Sequence, residues 1–545
     1  MPAVQVSYPG VYVVELPSGT HTITGVPTSI TAFVGTTARG PLNKPVTINS
    51  PTDYNRQFGG LAASSSTSFA IRDFYANGGS QAVIVRLYNK GGAGVPTAII
   101  DVPSATPGPA VFQLVAANPG AWGTSITVVV DKQVTTPTPY GLADGQVFNL
   151  TISDGTTTEV HRNVTLVGAP QSPRALDVVL ANESSLARWP KTAPDDLVSI
   201  GEPAPASFEA VFTPMIAALA GSATIKGDVA KTLVVSDGIA LAHDQYFPSV
   251  DPTGRLGVRA LATADLFNIL VIPPPIANNL EGDLELATLQ DAATYAAGRR
   301  AIFIVDPPST WTTKSDAKDK LATVTGLGDA RDNSALYFPR IQYPNPFDDN
   351  RLGTFAPSGA VAGIIARTDA TRGVWKAPAG LEATVNAIQA LSVDMTDAEN
   401  GELNPLGINC LRNRPAIGPV VWGARTINGD DRLTSQWKYL PVRRLALFLE
   451  ESLFRGTQWV VFEPNDEPLW SQIRTNITAF MQNLFLQGAF QGSSPDEAYF
   501  VKCDDETTTQ QDIDSGIVNI VVGFAPLKPA EFVVLSLQQM SGQTA

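Results

Sequence analysis

The sequence predicts an α/β, multidomain chain with an α/β core, a β-rich inserted domain and an α+β C-terminal domain. Three observations predict it. Short apolar runs alternate with helical periods on both sides of residues 96–224. Residues 96–224 themselves change texture to Thr, Val, Asn, Gly and Pro. The last hundred residues return to amphipathic helical spacing, followed by β-branched runs.

Residues 1–22 read as an extended arm, with Val4, Val6 and Tyr8, then Val11 and Val13, around the Pro9-Gly10 turn signal. No hairpin partner follows, so the arm must fray or pair with a distant or foreign sheet edge. Residues 17–27, rich in Ser, Thr, Gly and Pro, read as its linker. The first part of the core spans 23–95. Strands are expected at 31–35 and 82–87, with a helix at 68–77 that Gly78-Gly79 stops.

The second part of the core spans 225–345. Buried-type strands are expected at 231–235, 267–272, 301–305 and 335–341, with helices at 284–297 and 317–327. This alternation implies right-handed crossovers and a largely parallel sheet covered on both faces. The insertion between them, 96–224, carries strand runs at 125–130 and 147–152. It is expected to face outward, because closing a core over a long surface insertion costs little extra entropy.

The C-terminal domain spans 346–545. A helix over 442–454 places Leu445, Phe448, Leu449 and Leu453 on one stripe. Arg443, Arg444 and Arg455 fall off that stripe or at its ends, which makes them candidates for contact with an acidic partner or for pairing within the chain. A strand is expected at 458–462. Asn465 and Asp466 are possible caps ahead of Pro468, and Trp470, Ile473, Ile477, Phe480, Met481 and Leu484 form a second helical stripe. Runs at 517–524 and 532–537, the latter with Phe532, Val534, Leu535 and Leu537, flank Pro526-Leu527-Lys528-Pro529. They read as a hairpin or as two separately donated strands.

Composition narrows the function. The 545 residues allow two to four domains with large cores. Charged residues make up 16%, below the ~25% typical of soluble domains, which suggests surface hidden against other subunits. A net charge of −14 repels nucleic-acid phosphates and anionic lipid alike. No run approaches the ~18 apolar residues of a spanning helix, so no membrane insertion is expected. No signal-peptide pattern opens the chain, and assembly in the cytoplasm is the expectation. Cys410 and Cys503 lie far apart and read as buried, reduced thiols.

Chemistry is sought without success. Ser358, in Pro357-Ser358-Gly359, needs a His base to act as a nucleophile. The three histidines, His21, His161 and His243, fall in the linker, the insertion and a polar loop. A Gly-x-Ser-x-Gly elbow and a phosphate-binding loop are both missing, and Gly91-Gly92-Ala93-Gly94 runs into Val95-Pro96 instead of a helix. Asp504-Asp505-Glu506 lacks the alternating ligand spacing of a calcium loop. No catalytic, cofactor or metal site is expected, and the chain reads as a structural protein.

Several strings carry a resemblance. Toward the N-terminus stand Tyr8-Pro9-Gly10-Val11-Tyr12, Thr31-Ala32-Phe33-Val34-Gly35-Thr36, Arg39-Gly40-Pro41 and Asn118-Pro119-Gly120-Ala121-Trp122-Gly123. Farther on come Pro357-Ser358-Gly359-Ala360-Val361-Ala362-Gly363, Arg372-Gly373-Val374-Trp375-Lys376-Ala377-Pro378, Leu403-Asn404-Pro405-Leu406-Gly407 and Val421-Trp422-Gly423-Ala424-Arg425-Thr426. The end holds Trp459-Val460-Val461-Phe462-Glu463-Pro464-Asn465-Asp466, Phe500-Val501-Lys502-Cys503-Asp504 and Gly523-Phe524-Ala525-Pro526-Leu527-Lys528-Pro529. In order and spacing these resemble contractile tail sheath proteins of phages, pyocins and extracellular injection systems.

The resemblance implies a subtilisin-like sheath core and a C-terminal domain completed by strands from neighbouring subunits. It implies a homo-oligomer of hexameric rings or six-start helical rows around an inner tail tube protein, meeting baseplate and tail terminator proteins in a virion or injection particle. The arm residues Val4 to Val13 and the run Phe532 to Leu537 would be the inter-subunit straps. Arg443, Arg444 and Arg455 would face the tube. Without an ATPase, contraction would draw on a metastable assembly. A tail-tube or surface-array subunit is the alternative structural reading, and a subtilisin-like hydrolase the alternative enzymatic one.

Overall fold

The computed structural model describes residues 21–91, 96–102, 112–133, 135, 138–141, 147–165, 173–190, 224–229, 234–277 and 280–536. The arm residues Val4, Val6, Tyr8, Val11 and Val13, and Leu537 at the other end, lie outside them. The chain forms two compact units. The larger comprises Ser29–Arg367 and Pro378–Ser435, the smaller Met1–Thr28, Thr368–Ala377 and Gln436–Ala545.

In the larger unit, five nearly uninterrupted apolar runs become strands buried along their whole length: Thr31–Gly35, Ala82–Arg86, Ile269–Val271, Ile302–Val305 and Ser334–Phe338. Such runs suit a parallel sheet covered on both faces. They pair in parallel with Ile408–Arg414, in the order Ala82–Arg86, Thr31–Gly35, Ile269–Val271, Ile302–Val305, Ser334–Phe338, Ile408–Arg414. Antiparallel edges close the sheet at Val46–Ile48 and Gly418–Val421. One crossover helix, Ser66–Ala76, is capped by the Ser65 hydroxyl, and another, Leu286–Gly298, buries Leu289, Ala292, Ala293 and Ala296.

Residues 231–233 of the strand expected at 231–235 lie outside the described residues. Two domain boundaries differ from expectation. The neighbouring strand Thr224–Val229 pairs within the insertion, which therefore runs past residue 224. Residues 378–435, expected in the C-terminal domain, supply the last two strands of the core sheet because Ile408, Cys410 and Leu411 are apolar enough to be buried there.

The helix Ser358–Arg372 buries its first nine residues, Ser358 to Ala366. Its small residues permit a close approach. A Cβ on Gly359 would stand 2.2 Å from the Ala70 carbonyl oxygen, and one on Gly363 2.4 Å from that of Phe74.

The insertion is a seven-stranded antiparallel sheet in the order Thr158–Val164, Phe148–Ser153, Thr127–Asp131, Thr224–Val229, Ile99–Val102, Phe112–Ala116, Ala187–Arg188. Its inward side chains, Val128, Val130, Leu150 and Ile152 among them, share a core with Val179 and Leu180 of the helix Leu176–Glu183.

The smaller unit is built on the helices Leu440–Gly456 and Glu467–Leu486. Asp466 caps the second and Pro468 sits in its first turn. Their stripes meet in one core of Leu445, Leu449, Trp470, Ile473, Ile477 and Met481. The strand expected at 458–462 is instead a 3-10 turn, Gln458–Val460, leading into an exposed corner. Of the two readings of the terminal runs, the hairpin is not formed among the described residues. Val521–Phe524 pairs antiparallel with Tyr499–Lys502, and residues 531–536 carry no strand.

Candidate assembly surfaces

Arg86 ends a core strand and is 1% exposed. Its guanidinium donates to the carbonyls of Thr37 (3.1 Å), Gly40 (2.9 Å) and Pro119 (2.7 Å), and burial pushes its pKa down to about 10. The Arg39-Gly40-Pro41 and Asn118-Pro119-Gly120 strings, 79 residues apart by number of their first members, are therefore knit together by one buried cation. Arg39 pairs with Asp154, and the Ala121 amide donates to Asp237 at 2.7 Å. The junction fixes the insertion on the core. Sequence reasoning missed Arg86, although a lone cation ending the apolar run Ala-Val-Ile-Val was the available signal.

The three arginines of the helix Leu440–Gly456 separate. Arg444 is buried and bidentate to Asp369, at 2.8 and 2.5 Å, and also donates to the Thr28 carbonyl at 2.9 Å. It presents no charge outward, which corrects its expected tube-facing role: pairing within the chain takes it. Arg443 lies over the Trp437 ring at 4.8 Å and near Glu450 at 3.5 Å. Arg455 pairs with Glu451 one helical turn back at 2.7 Å and stays one-third exposed.

At the C-terminal end, Phe532, Val533, Val534 and Leu535 are 75–87% exposed. Four consecutive apolar side chains in water form an unusual surface for a finished protein. Nearby in sequence, Tyr499–Lys502 and Val521–Phe524 pair only with each other among the described residues.

The remaining sequence candidates take structural roles. Ser358 starts its helix: its amide and hydroxyl donate to Asp306 at 2.9 and 2.6 Å. Burial pushes the Asp306 carboxyl up to about 6. His21 stacks on Trp459, His161 lies against Glu159 in an insertion strand, and His243 contacts Thr288, so none is the partner of Ser358. Asp504 accepts the amides of Glu506 and Thr507 in a tight turn. Among the described residues no three His, Cys, Asp or Glu side chains gather as a metal site, and no helix is long and apolar enough to cross a membrane. Cys410 and Cys503 are buried free thiols.

A cavity of about 950 Å³ opens where the core meets the insertion. Tyr54, Leu61, Ile71, Arg72, Tyr75 and Trp122 line it. The Tyr54 hydroxyl has no hydrogen-bond partner and no accessible surface, so it lies behind the cavity wall.

Two family models match: "Phage tail sheath protein central domain" over residues 260–427 and "Phage tail sheath C-terminal domain" over residues 433–539. The tail sheath protein of Vibrio phage KVP40 is 27% identical over 199 residues, 36% of this chain and 28% of that protein. A putative prophage major tail sheath protein of Pseudomonas aeruginosa is 26% identical over 182 residues, 32% of this chain and 44% of its own length. These matches thus span less than half of the curated relatives. Among solved structures, the sheath complex of the PVC extracellular contractile injection system in its contracted state aligns over 98% of this chain and 99% of its own, with a TM-score of 0.54 and 21% identity. A sheath tail protein from Listeria innocua aligns over 93% and 96%, with a TM-score of 0.53 and 13% identity.

Proposed function

The chain belongs to the contractile tail sheath family, and we propose that it polymerises as a helical sleeve around an inner tube and contracts to drive that tube through a target envelope. It is a structural subunit, not an enzyme. The observation that carries the proposal is the exposed run Phe532 to Leu535, which follows in sequence a sheet that has two strands among the described residues. A two-stranded sheet is marginal alone, and an apolar extended run is the complement it lacks. Strand donation between copies gives main-chain hydrogen bonds for strength and side-chain pockets for register. In this reading Val4 to Val13 and Phe532 to Leu537 are the straps, and the linker 17–27 absorbs motion while the donated strands stay paired.

The finer features follow the same reading: a subtilisin-like core, six-start or hexameric packing, an outward insertion, and partners at the baseplate and tail end. Arg443 and Arg455 remain the proposed cations toward an acidic tube. The particle is a virion tail or an injection machine assembled in the bacterial cytoplasm.

Negative-stain electron microscopy of the chain expressed alone tests this directly. Hollow, striated, helically ordered tubes are expected, alone or on co-expression with an inner-tube protein. Monodisperse chains in both settings would overturn the proposal.

A further inference from the structure

Within the smaller unit, both terminal segments of the described chain are moored to one helix, Leu440–Gly456, at its opposite ends. On the N-terminal side, residues 21–28 run along this helix from its last turn to its first. The His21 ring stacks on Trp459, just past the helix, with centroids 4.1 Å apart and 15° between the planes. Ile23, 6% exposed, fills the space that Gly456 leaves, where a Cβ would stand 2.6 Å from the Ile23 side chain. Gly25 in turn makes room for the Phe448 ring. The Val26 amide donates to the Ser452 hydroxyl at 3.2 Å, and Arg444 donates to the Thr28 carbonyl at 2.9 Å. Residues 21–27 are therefore part of the packing of the smaller unit.

On the C-terminal side the chain leaves its strand at Phe524, and the Ala525 amide donates to the Ala498 carbonyl at 2.8 Å. It is caught again at Glu531, whose carboxylate accepts the Tyr439 hydroxyl at 3.3 Å. Tyr439 is the N-cap of the same helix, and the exposed apolar run begins at the next residue after Glu531, Phe532. The two moorings thus bracket a helix of 17 residues, which at ~1.5 Å per residue rises about 25 Å. Packing holds a helix of this length more than propensity does. Here Leu445 and Leu449 are buried in the core shared with the helix Glu467–Leu486, and the first turns carry the Arg444–Asp369 pair.

We propose that the helix Leu440–Gly456 is a rigid spar between the roots of the two straps, and that its length sets the spacing of the neighbouring copies that one chain joins. The inference rests on the strap reading above and adds to it where the donated segments leave the subunit and what keeps those two points apart. A pull from a neighbour on one strap then passes through the helix to the other. The compliant part of the N-terminal strap lies before His21, which narrows the linker of 17–27.

Spin labels on Thr22→Cys and Ala530→Cys, both exposed positions, test the rigidity by pulsed electron paramagnetic resonance. The chain's own thiols are buried, which keeps stray labelling low. The distance is read in the monomer, in tubes grown on an inner-tube protein and in contracted tubes, each diluted with wild-type chain. One narrow distribution, the same in all three, is expected; a shift between states by a helical turn, about 5 Å, or more overturns the spar. Two variants test its role in assembly. Tyr439→Phe removes only the hydroxyl that holds Glu531, and Gly456→Leu displaces Ile23 from the last turn. Each is expected to lower tube yield several-fold with an unchanged circular dichroism spectrum, and Ile23→Ala added to Gly456→Leu should restore it. Wild-type yield from either single variant overturns the proposal and leaves strand donation standing; no tubes even from the wild-type chain, with an inner-tube protein present, sink both.

Discussion

Arg444 and Asp369 form a bidentate ion pair in which each side chain is only 3% exposed. Two charges withdrawn from water this completely lose much of their hydration, and their attraction repays it only because the geometry is good. The pair therefore specifies the packing of the smaller unit more than it adds net stability.

Removing one partner should be costly. Arg444→Met leaves Asp369 buried without its cation, at about 3–5 kcal/mol. The double variant Arg444→Met with Asp369→Leu should recover most of that loss. Urea denaturation midpoints of the three chains check it, and equal midpoints for the single variant and wild type would contradict it.

Gly359→Ala should destabilise by about 1–3 kcal/mol, since the new methyl meets Ala70 backbone with no side chain free to yield. Gly401, in the helix Asp397–Leu403, has open space where its Cβ would stand. Gly401→Ala should stabilise by about 0.5–1 kcal/mol. Calorimetric melting of both variants should move Tm in opposite directions.

Asp306 gives the larger unit a pH dependence of definite sign. Burial lifts its folded carboxyl to about 6, above the ~3.9 of an unfolded chain. Between those values the folded state binds more protons than the unfolded one, so its contribution is present below pH ~4 and is lost as pH rises toward 6. Asp73, also lifted to about 6 by burial, acts in the same direction. Asp306→Asn keeps an acceptor for Ser358 and should gain stability relative to wild type as pH climbs from 4 to 7. Denaturation midpoints across that range test it; parallel profiles for the two chains would refute it.

Deleting residues 1–20, or truncating after Ala530, should abolish tubes while leaving a soluble monomer with an unchanged circular dichroism spectrum. Val13→Pro should act mainly on assembly too, because it removes one strand donor. Tubes of normal length from either truncation would rule out the straps.

How much of this was legible follows from what each element asks of its residues. Buried parallel strands announce themselves, and Thr31–Gly35, Ala82–Arg86 and Ile302–Val305 fall within a residue of expectation. The helix Ser358–Arg372 escaped because it is buried nearly all round over its first half, which leaves no amphipathic period to read. The run Trp459 to Phe462 has strand-forming residues, yet no neighbouring edge takes it and its tip stays in water; propensity yields to context. Arg86 and the Tyr54 cavity are properties of three-dimensional closure, since their partners come from segments far apart in sequence.

The insertion enters through Ile99–Val102 and leaves through Thr224–Val229, and these two strands are antiparallel neighbours, with Ile100 opposite Val229. Opposed residues in such a ladder sit about 5 Å apart, so more than a hundred residues enter and leave through one narrow doorway, with Arg86, Arg39 and Asp237 holding the module beside it. A bridge of a few residues spans that gap. The core sheet can therefore accept another module whose own ends meet, provided that it again offers buried Arg86 an acceptor where Pro119 now stands.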